Sequence, residues 1–243
     1  MKILNAVCGK GTRLKLSVCV FLAFISPAAS RAAYLYNLDF TPPDLGTYQV
    51  TAGSPTVQSS VGTFYNALIF AAASGGEQIR LPIGVNAPQY ELQCDVLTQN
   101  LLNSDYSFGV YFGAATVRTL NFDGGLNSIY VYQSSPFLNL SLAPLTNNLV
   151  YHLYFMFDVQ NSVWSVAVNG NPLFSGPLDG SALQDIRFGL APWIGGAANA
   201  PNTHVALDNV VVSAVPEPTT AGLAATGVLL WLKLQRRNVQ TRK

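Results

Sequence analysis

The chain has 243 residues, of which 10% are charged, and its formal net charge of +1 conceals a very uneven distribution. Ten of the 13 basic residues lie at the two ends, and the stretch between them keeps Arg80, Arg118 and Arg187, no lysine and 11 acids, a net of −8. Such a segment argues against nucleic-acid binding, which needs clustered Lys or Arg on phosphates, and its length fits one domain with a substantial core.

In chain order, residues 1–32 read as a signal peptide. Lys2, Lys10, Arg13 and Lys15 form a basic leader, Leu16 to Ile25 (LSVCVFLAFI) an apolar stretch, and small residues follow that suit cleavage between Ser30 and Ala33. Cys19 follows Val18 where a lipobox needs a small residue, so lipid anchoring through it is not expected. Once Cys8 and Cys19 leave with the signal, Cys94 stands alone and no intramolecular disulfide can form.

Residues 33–214 show strand periodicity almost throughout. TFYNALIF is a first strand candidate; in YELQCDVL, Tyr90, Leu92, Cys94 and Val96 make an apolar face opposite Glu91, Gln93 and Asp95. YSFGVYFG, VRTLNF and SIYVYQ follow as strands, and the last of these puts Tyr130 and Tyr132 on one face. LVYHLYFMFDV is apolar at nearly every position, which predicts a strand buried on both faces. Val163 to Val168 form the next strand, closed by Asn169-Gly170, a type I′ turn signal, with Phe174 on a returning strand. DIRFGLA and VALDNVVVS complete the set. Short strands separated by Gly, Pro, Asn and Ser predict an all-β, two-sheet β-sandwich or jelly roll.

Residues 215–243 have a different character. From Thr219 to Leu232 there are 14 residues without a charge, about 21 Å as a helix at ~1.5 Å per residue, against roughly 30 Å of hydrocarbon core. With Lys233 snorkelling and Leu234 added, 219–234 is expected to be a short transmembrane helix. The basic tail behind it places that end in the cytoplasm and the domain outside.

Two family resemblances arise from these residues. Pro216-Glu217-Pro218, the apolar segment and Arg236-Arg237 resemble the PEP-CTERM sorting signal of exported Gram-negative bacterial proteins, although NVQTRK continues past the arginine pair. The resemblance implies exosortase and signal peptidase as processing partners, transient inner-membrane anchoring, and then the cell surface or biofilm matrix. The hairpin YHLYFMFDVQNSVWSVAVNGNPLFSG, the opening LDFTP at Leu38–Pro42 and the closing LDNVVVS at Leu207–Ser213 resemble concanavalin A-like (laminin G-like) jelly rolls. That resemblance implies first and last strands lying side by side. A galactose-binding-like jelly roll is the alternative fold.

Chemistry is sparse. The glucanases of the concanavalin A-like fold place clustered carboxylates on one strand, and a retaining pair must lie about 5–5.5 Å apart. Glu91 and Asp95 are four residues apart, roughly 13 Å along a strand at ~3.3 Å per residue. No enzyme activity is expected. His152 and His204 form no closely spaced pair, which argues against a transition metal. Asp123 in NFDGGLN, and Asp39 with Asp208 near the terminal strands, are the candidate ligands for a structural calcium ion, the one cofactor the sequence admits. Sugar binding is the function expected, with polysaccharide as partner. Trp193, in the loop GLAPWIGGAANAPNT, and the Tyr130/Tyr132 pair are the candidate stacking residues. A structural or protein-adhesion component of the envelope is the alternative.

Overall fold

The computed structural model of the chain describes residues 32–42, 47–72, 76–112, 118–134, 137–178, 183–192 and 202–215. Alternation in the sequence resolves into strands β1 (Ala33–Leu38), β2 (Gln49–Ala52), β3 (Thr56–Val61), β4 (Phe64–Ala71), β5 (Glu77–Pro82), β6 (Gln89–Gln99), β7 (Tyr106–Phe112) and β8 (Arg118–Asp123). These are followed by β9 (Ser128–Ser134), β10 (Phe137–Pro144), β11 (Val150–Asp158), β12 (Val163–Val168), β13 (Asn171–Pro177), β14 (Asp185–Pro192) and β15 (His204–Val215). Among the described residues no helix is long and apolar enough to cross a membrane. Residues 1–31 of the signal segment and the expected helix 219–234 lie outside them.

The strands form two antiparallel sheets. One has the order β13-β12-β11-β6-β15-β4-β3, with β1 also paired to β15; the other runs β10-β9-β8-β7-β14-β5-β2. The long β15 shares one of its edges between two partners: His204–Leu207 pair with β4, and Val210–Ala214 with β1. A bulge between them places Asn209 in the left-handed region at φ 51°. The first and last strands of the domain therefore lie side by side, Ala33 opposite Ala214.

The inner faces enclose one large apolar core. Its densest part is aromatic: Phe112 lies 4.8 Å from both Phe157 and Trp164 between ring centroids, and Trp164 lies 4.8 Å from Phe174. Cys94 is buried in this core, where desolvation and then the adjacent Asp95 charge push its thiol well above its ordinary range. The buried Arg118 donates from Nε to the carbonyl of Pro177 at 2.9 Å, joining the end of β8 to the edge strand β13 of the other sheet.

One strand departs from its expected burial. In β11, Tyr151, Leu153, Phe155 and Phe157 face the core, but His152, Tyr154 and Met156 are exposed. The two described sheets cover only one face of β11. Its outward residues sit beside polar partners instead, Met156 opposite Glu91, Tyr154 opposite Gln93 and His152 opposite Asp95. The Asn169-Gly170 turn behaves as its sequence requires, with φ of 51° and 76°.

Candidate binding face of the seven-stranded sheet

Strand alternation decides which residues of this sheet point away from the core. In β7, Phe108, Val110 and Phe112 point inward, so Ser107, Gly109 and Tyr111 point outward. In β8 the outward set is Thr119, Asn121 and Asp123; in β9 it is Ser128, Tyr130 and Tyr132. The register then joins these residues into rows across the sheet. One row runs Gln49, Arg80, Arg187, Tyr111, Thr119, Tyr132 and Asn139, each directly opposite the next. The row beside it runs Gln78, Gly189, Gly109, Asn121, Tyr130 and Ser141.

The relief of the face follows from side-chain size. Thr119, Asn121 and Asp123 are buried although they point away from the core: Tyr111 and Tyr132 flank Thr119 and Tyr130 flanks Asn121, whereas Asp123 lies between Ser107 and Ser128 at the turn that follows β8. Asn121 Nδ2 donates to Thr119 Oγ1, and Asp123 Oδ1 accepts from the Leu126 amide at 2.8 Å. The Tyr111 ring folds back over Gly109: a Cβ at Gly109 would lie 2.6 Å from Tyr111 Cζ. Phe137 of β10 is 73% exposed and meets the Tyr132 ring edge-on at 6.0 Å. Aromatic rings thus stand beside a polar floor, an arrangement suited to apolar C–H faces above and hydroxyl groups below.

The electrostatics agree with this packing. Burial, then the charge of Asp123 and the proximity of Tyr111, push the Tyr130 hydroxyl up to about 12. Burial also raises Tyr111, against the opposing influence of Arg187. Both hydroxyls therefore remain neutral donors at any physiological pH.

The residues picked out in the sequence fall in three places. Tyr130 and Tyr132 share the outward face as expected, with Tyr130 buried and Tyr132 partly exposed. Tyr111, Phe137 and the Arg80–Arg187 pair were not singled out; alternation alone placed each strand's faces, but not which strands are neighbours. Trp193 and the sorting residues Pro216, Glu217, Pro218, Arg236 and Arg237 lie outside the described residues.

The three calcium candidates do not form one centre. Asp39 follows β1 and accepts from the Thr41 amide at 2.9 Å, and Asp208 sits in the β15 bulge and accepts from the Asn209 amide at 2.7 Å. Asp123 belongs to the other sheet. Among the described residues no three His, Cys, Asp or Glu side chains converge. Each carboxylate accepts an amide hydrogen from a residue one to three positions further along, the geometry of a local turn.

A second feature lies on the outer face of the eight-stranded sheet, a depression of about 460 Å³ lined by Ala32, Tyr34, Asn37, Glu91, Gln93, Val211 and Ser213. Burial and then Glu91 raise the Tyr154 hydroxyl nearby. Close by, His152 Nδ1 lies 2.6 Å from Asp95 Oδ1, and Asn209 Nδ2 donates to Asp95 Oδ2 at 2.8 Å. This depression has one aromatic ring in its lining, so it is the weaker of the two sites.

No protein-family model matches the chain, and no curated protein matches its sequence. Solved structures do share the fold. A sialidase is similar with a TM-score of 0.54 at 14% identity, over 77% of this chain and 19% of the sialidase. The apo Crh5 transglycosylase is similar at 0.55 and 13%, over 75% and 85% of the two chains. A botulinum neurotoxin type C structure, described in connection with cell entry that depends on two ganglioside molecules, is similar at 0.55 and 8%, over 80% and 51%. This chain thus spans about a fifth of the sialidase and half of the toxin chain. At these identities the likeness establishes the all-β, two-sheet sandwich.

Proposed function

We propose that the domain is a non-catalytic glycan-binding sandwich, carried by an exported protein that an exosortase sorts to the cell surface or matrix. The observation that carries the binding reading is the outward row Tyr111–Thr119–Tyr132, with Asn121 and Tyr130 beside it. Aromatic rings, neutral hydroxyl donors and a buried amide occur together there. The toxin of similar fold, whose cell entry depends on gangliosides, adds support at the level of the class.

The non-catalytic part rests on the carboxylates. Asp123 is buried and held by the Leu126 amide, and Asp185 is held by Arg80 and Arg187. Glu91 and Asp95 project from the other sheet, away from the tyrosines. The sorting part rests on Pro216-Glu217-Pro218: both prolines lack an amide donor and disfavour helix in the residue before them, which keeps Glu217 extended for a processing enzyme.

Co-sedimentation of the full chain, purified in mild detergent, with a panel of insoluble polysaccharides tests the reading. The chain is expected to pellet with at least one of them. Tyr111→Ala combined with Tyr132→Ala should weaken that binding by about tenfold or more, the loss of roughly 1.4 kcal/mol, with the melting temperature nearly unchanged. Binding that survives the double substitution moves the site off this face. The second reading, protein adhesion without a glycan site, is favoured by the sheet edge at β10, where Phe137 and Leu140 are exposed. It gains if no polysaccharide binds.

A further inference from the structure

Arginine is the scarcest functional resource of this domain, and its placement is uneven. Between residues 33 and 214 there are three arginines and no lysine against 11 acids. Arg118 is buried and tied to the Pro177 carbonyl. The other two, Arg80 and Arg187, stand directly opposite each other on β5 and β14, in the same outward row as Tyr111 and Tyr132. Like charges directly opposite on adjacent strands destabilise a sheet, so the fold by itself gains little from such a pairing.

Asp185 makes the pair tolerable. Its Oδ2 accepts from Arg80 Nε at 2.7 Å and its Oδ1 from Arg187 Nε at 3.0 Å. One carboxylate thus orients two guanidinium groups through their Nε atoms and, among the described residues, leaves the cluster one positive charge in excess. The terminal nitrogens of both arginines make no further hydrogen bond among the described residues, and both side chains are well exposed, at 40% and 37%. An oriented, exposed guanidinium edge matches a second carboxylate in fork geometry. A lone arginine on an acidic surface would usually be neutralised by a neighbour; among the described residues these two share one carboxylate.

We infer that the Arg80–Arg187 pair is a subsite for the carboxylate of an acidic sugar, so that the glycan class is a uronate-containing polysaccharide. The inference rests on the glycan-binding reading of the tyrosine face. From Arg80 to Tyr132 the row crosses four strand spacings, about 19 Å at ~4.8 Å each, the reach of an oligosaccharide segment rather than one sugar. In that placement the tyrosines take the ring faces and the arginines one acidic substituent. The −8 charge of the domain repels a polyanion everywhere else, which fixes the register of the chain on the sheet.

The test compares polygalacturonate, alginate and hyaluronan with the methyl-esterified form of each, which keeps the backbone and hydroxyls and removes the charge. Binding of the full chain in mild detergent is measured at two salt concentrations. The expected result is that at least one acid binds about ten- to hundredfold more tightly than its ester, and that added salt weakens the acid alone. Arg187→Gln and Arg80→Gln should each reduce that preference while ester binding and melting temperature hold. Equal affinity for acid and ester, or a preference untouched in both variants, overturns the acidic-sugar inference and leaves the glycan reading standing. Binding to none of the six, alongside binding to a neutral glucan, also overturns the inference alone. Binding to no polysaccharide of any kind overturns both.

Discussion

Tyr130 shows most plainly how a single side chain reports on the face. Its hydroxyl is desolvated, with Asp123, Tyr111 and Tyr132 around it, and it ionises only at about 12, against about 10 for a free tyrosine. The consequence for stability has a definite sign. Below pH 10 the residue is neutral folded and unfolded, so it imposes no dependence. Between about 10 and 12 the unfolded chain ionises while the folded one does not, and stability falls as pH rises. Tyr36, Tyr111 and Tyr154 are also raised and contribute in the same direction. The Tyr130→Phe variant should therefore show a flatter decline of melting temperature across that window. Profiles of equal slope would mean that the hydroxyl is not desolvated as the structure places it. Shared orientation of Tyr130 and Tyr132 was legible in SIYVYQ, because a strand's period of two needs no partner to be read. The burial of Tyr130 was not, because it comes from Asp123 and Tyr111 on other strands.

Register carries most of the information at the level of the strands. The strongly alternating segments of β6, β9 and β12 were readable, and so was the Asn169-Gly170 turn. The weak ones, such as β3 with its run of exposed positions, lack an apolar face to mark them. LVYHLYFMFDV misled because Tyr and Met are apolar by composition yet tolerate water at their polar or flexible ends. What no single strand discloses is that β7 sits between β14 and β8, which alone brings Arg187, Tyr111 and Thr119 into line. Gly109 is the test of that alignment. The atoms a new side chain would strike belong to the end of Tyr111, not to backbone. Gly109→Ala should therefore displace the ring and weaken glycan binding, with little loss of melting temperature. A large loss of stability with intact binding would show Tyr111 to be packing rather than contact.

For the whole molecule, the two ends and the charge form one question. The compact unit runs from Ala32 to Val215, and its main core is drawn from Tyr36 to Ala214. Ala33 pairs with Ala214, so the chain enters and leaves the sandwich at one point. Cleavage between Ser30 and Ala33, and sorting near Pro216–Pro218, would both cut just outside this pairing and leave every core strand in place. They would also discard nine or all ten of the basic residues of the ends, Arg31 depending on the bond cut, converting a chain of net charge +1 into a strongly acidic domain in which Arg80 and Arg187 are the exposed arginines of the sandwich. On that account processing does more than release the protein: it removes the positive charge that would attract any polyanion, leaving recognition to one pair of arginines. The surface-exposed product should thus have an intact mass that begins at residue 31, 32 or 33 and ends between 216 and 218, a strongly acidic isoelectric point, and the melting temperature of the full chain. Trimming a further six residues from the N-terminus, which removes most of β1 from β15, should lower that temperature. A mature surface form that retains 219–243 would separate the two halves of the argument, leaving the sandwich as described and the sorting route wrong.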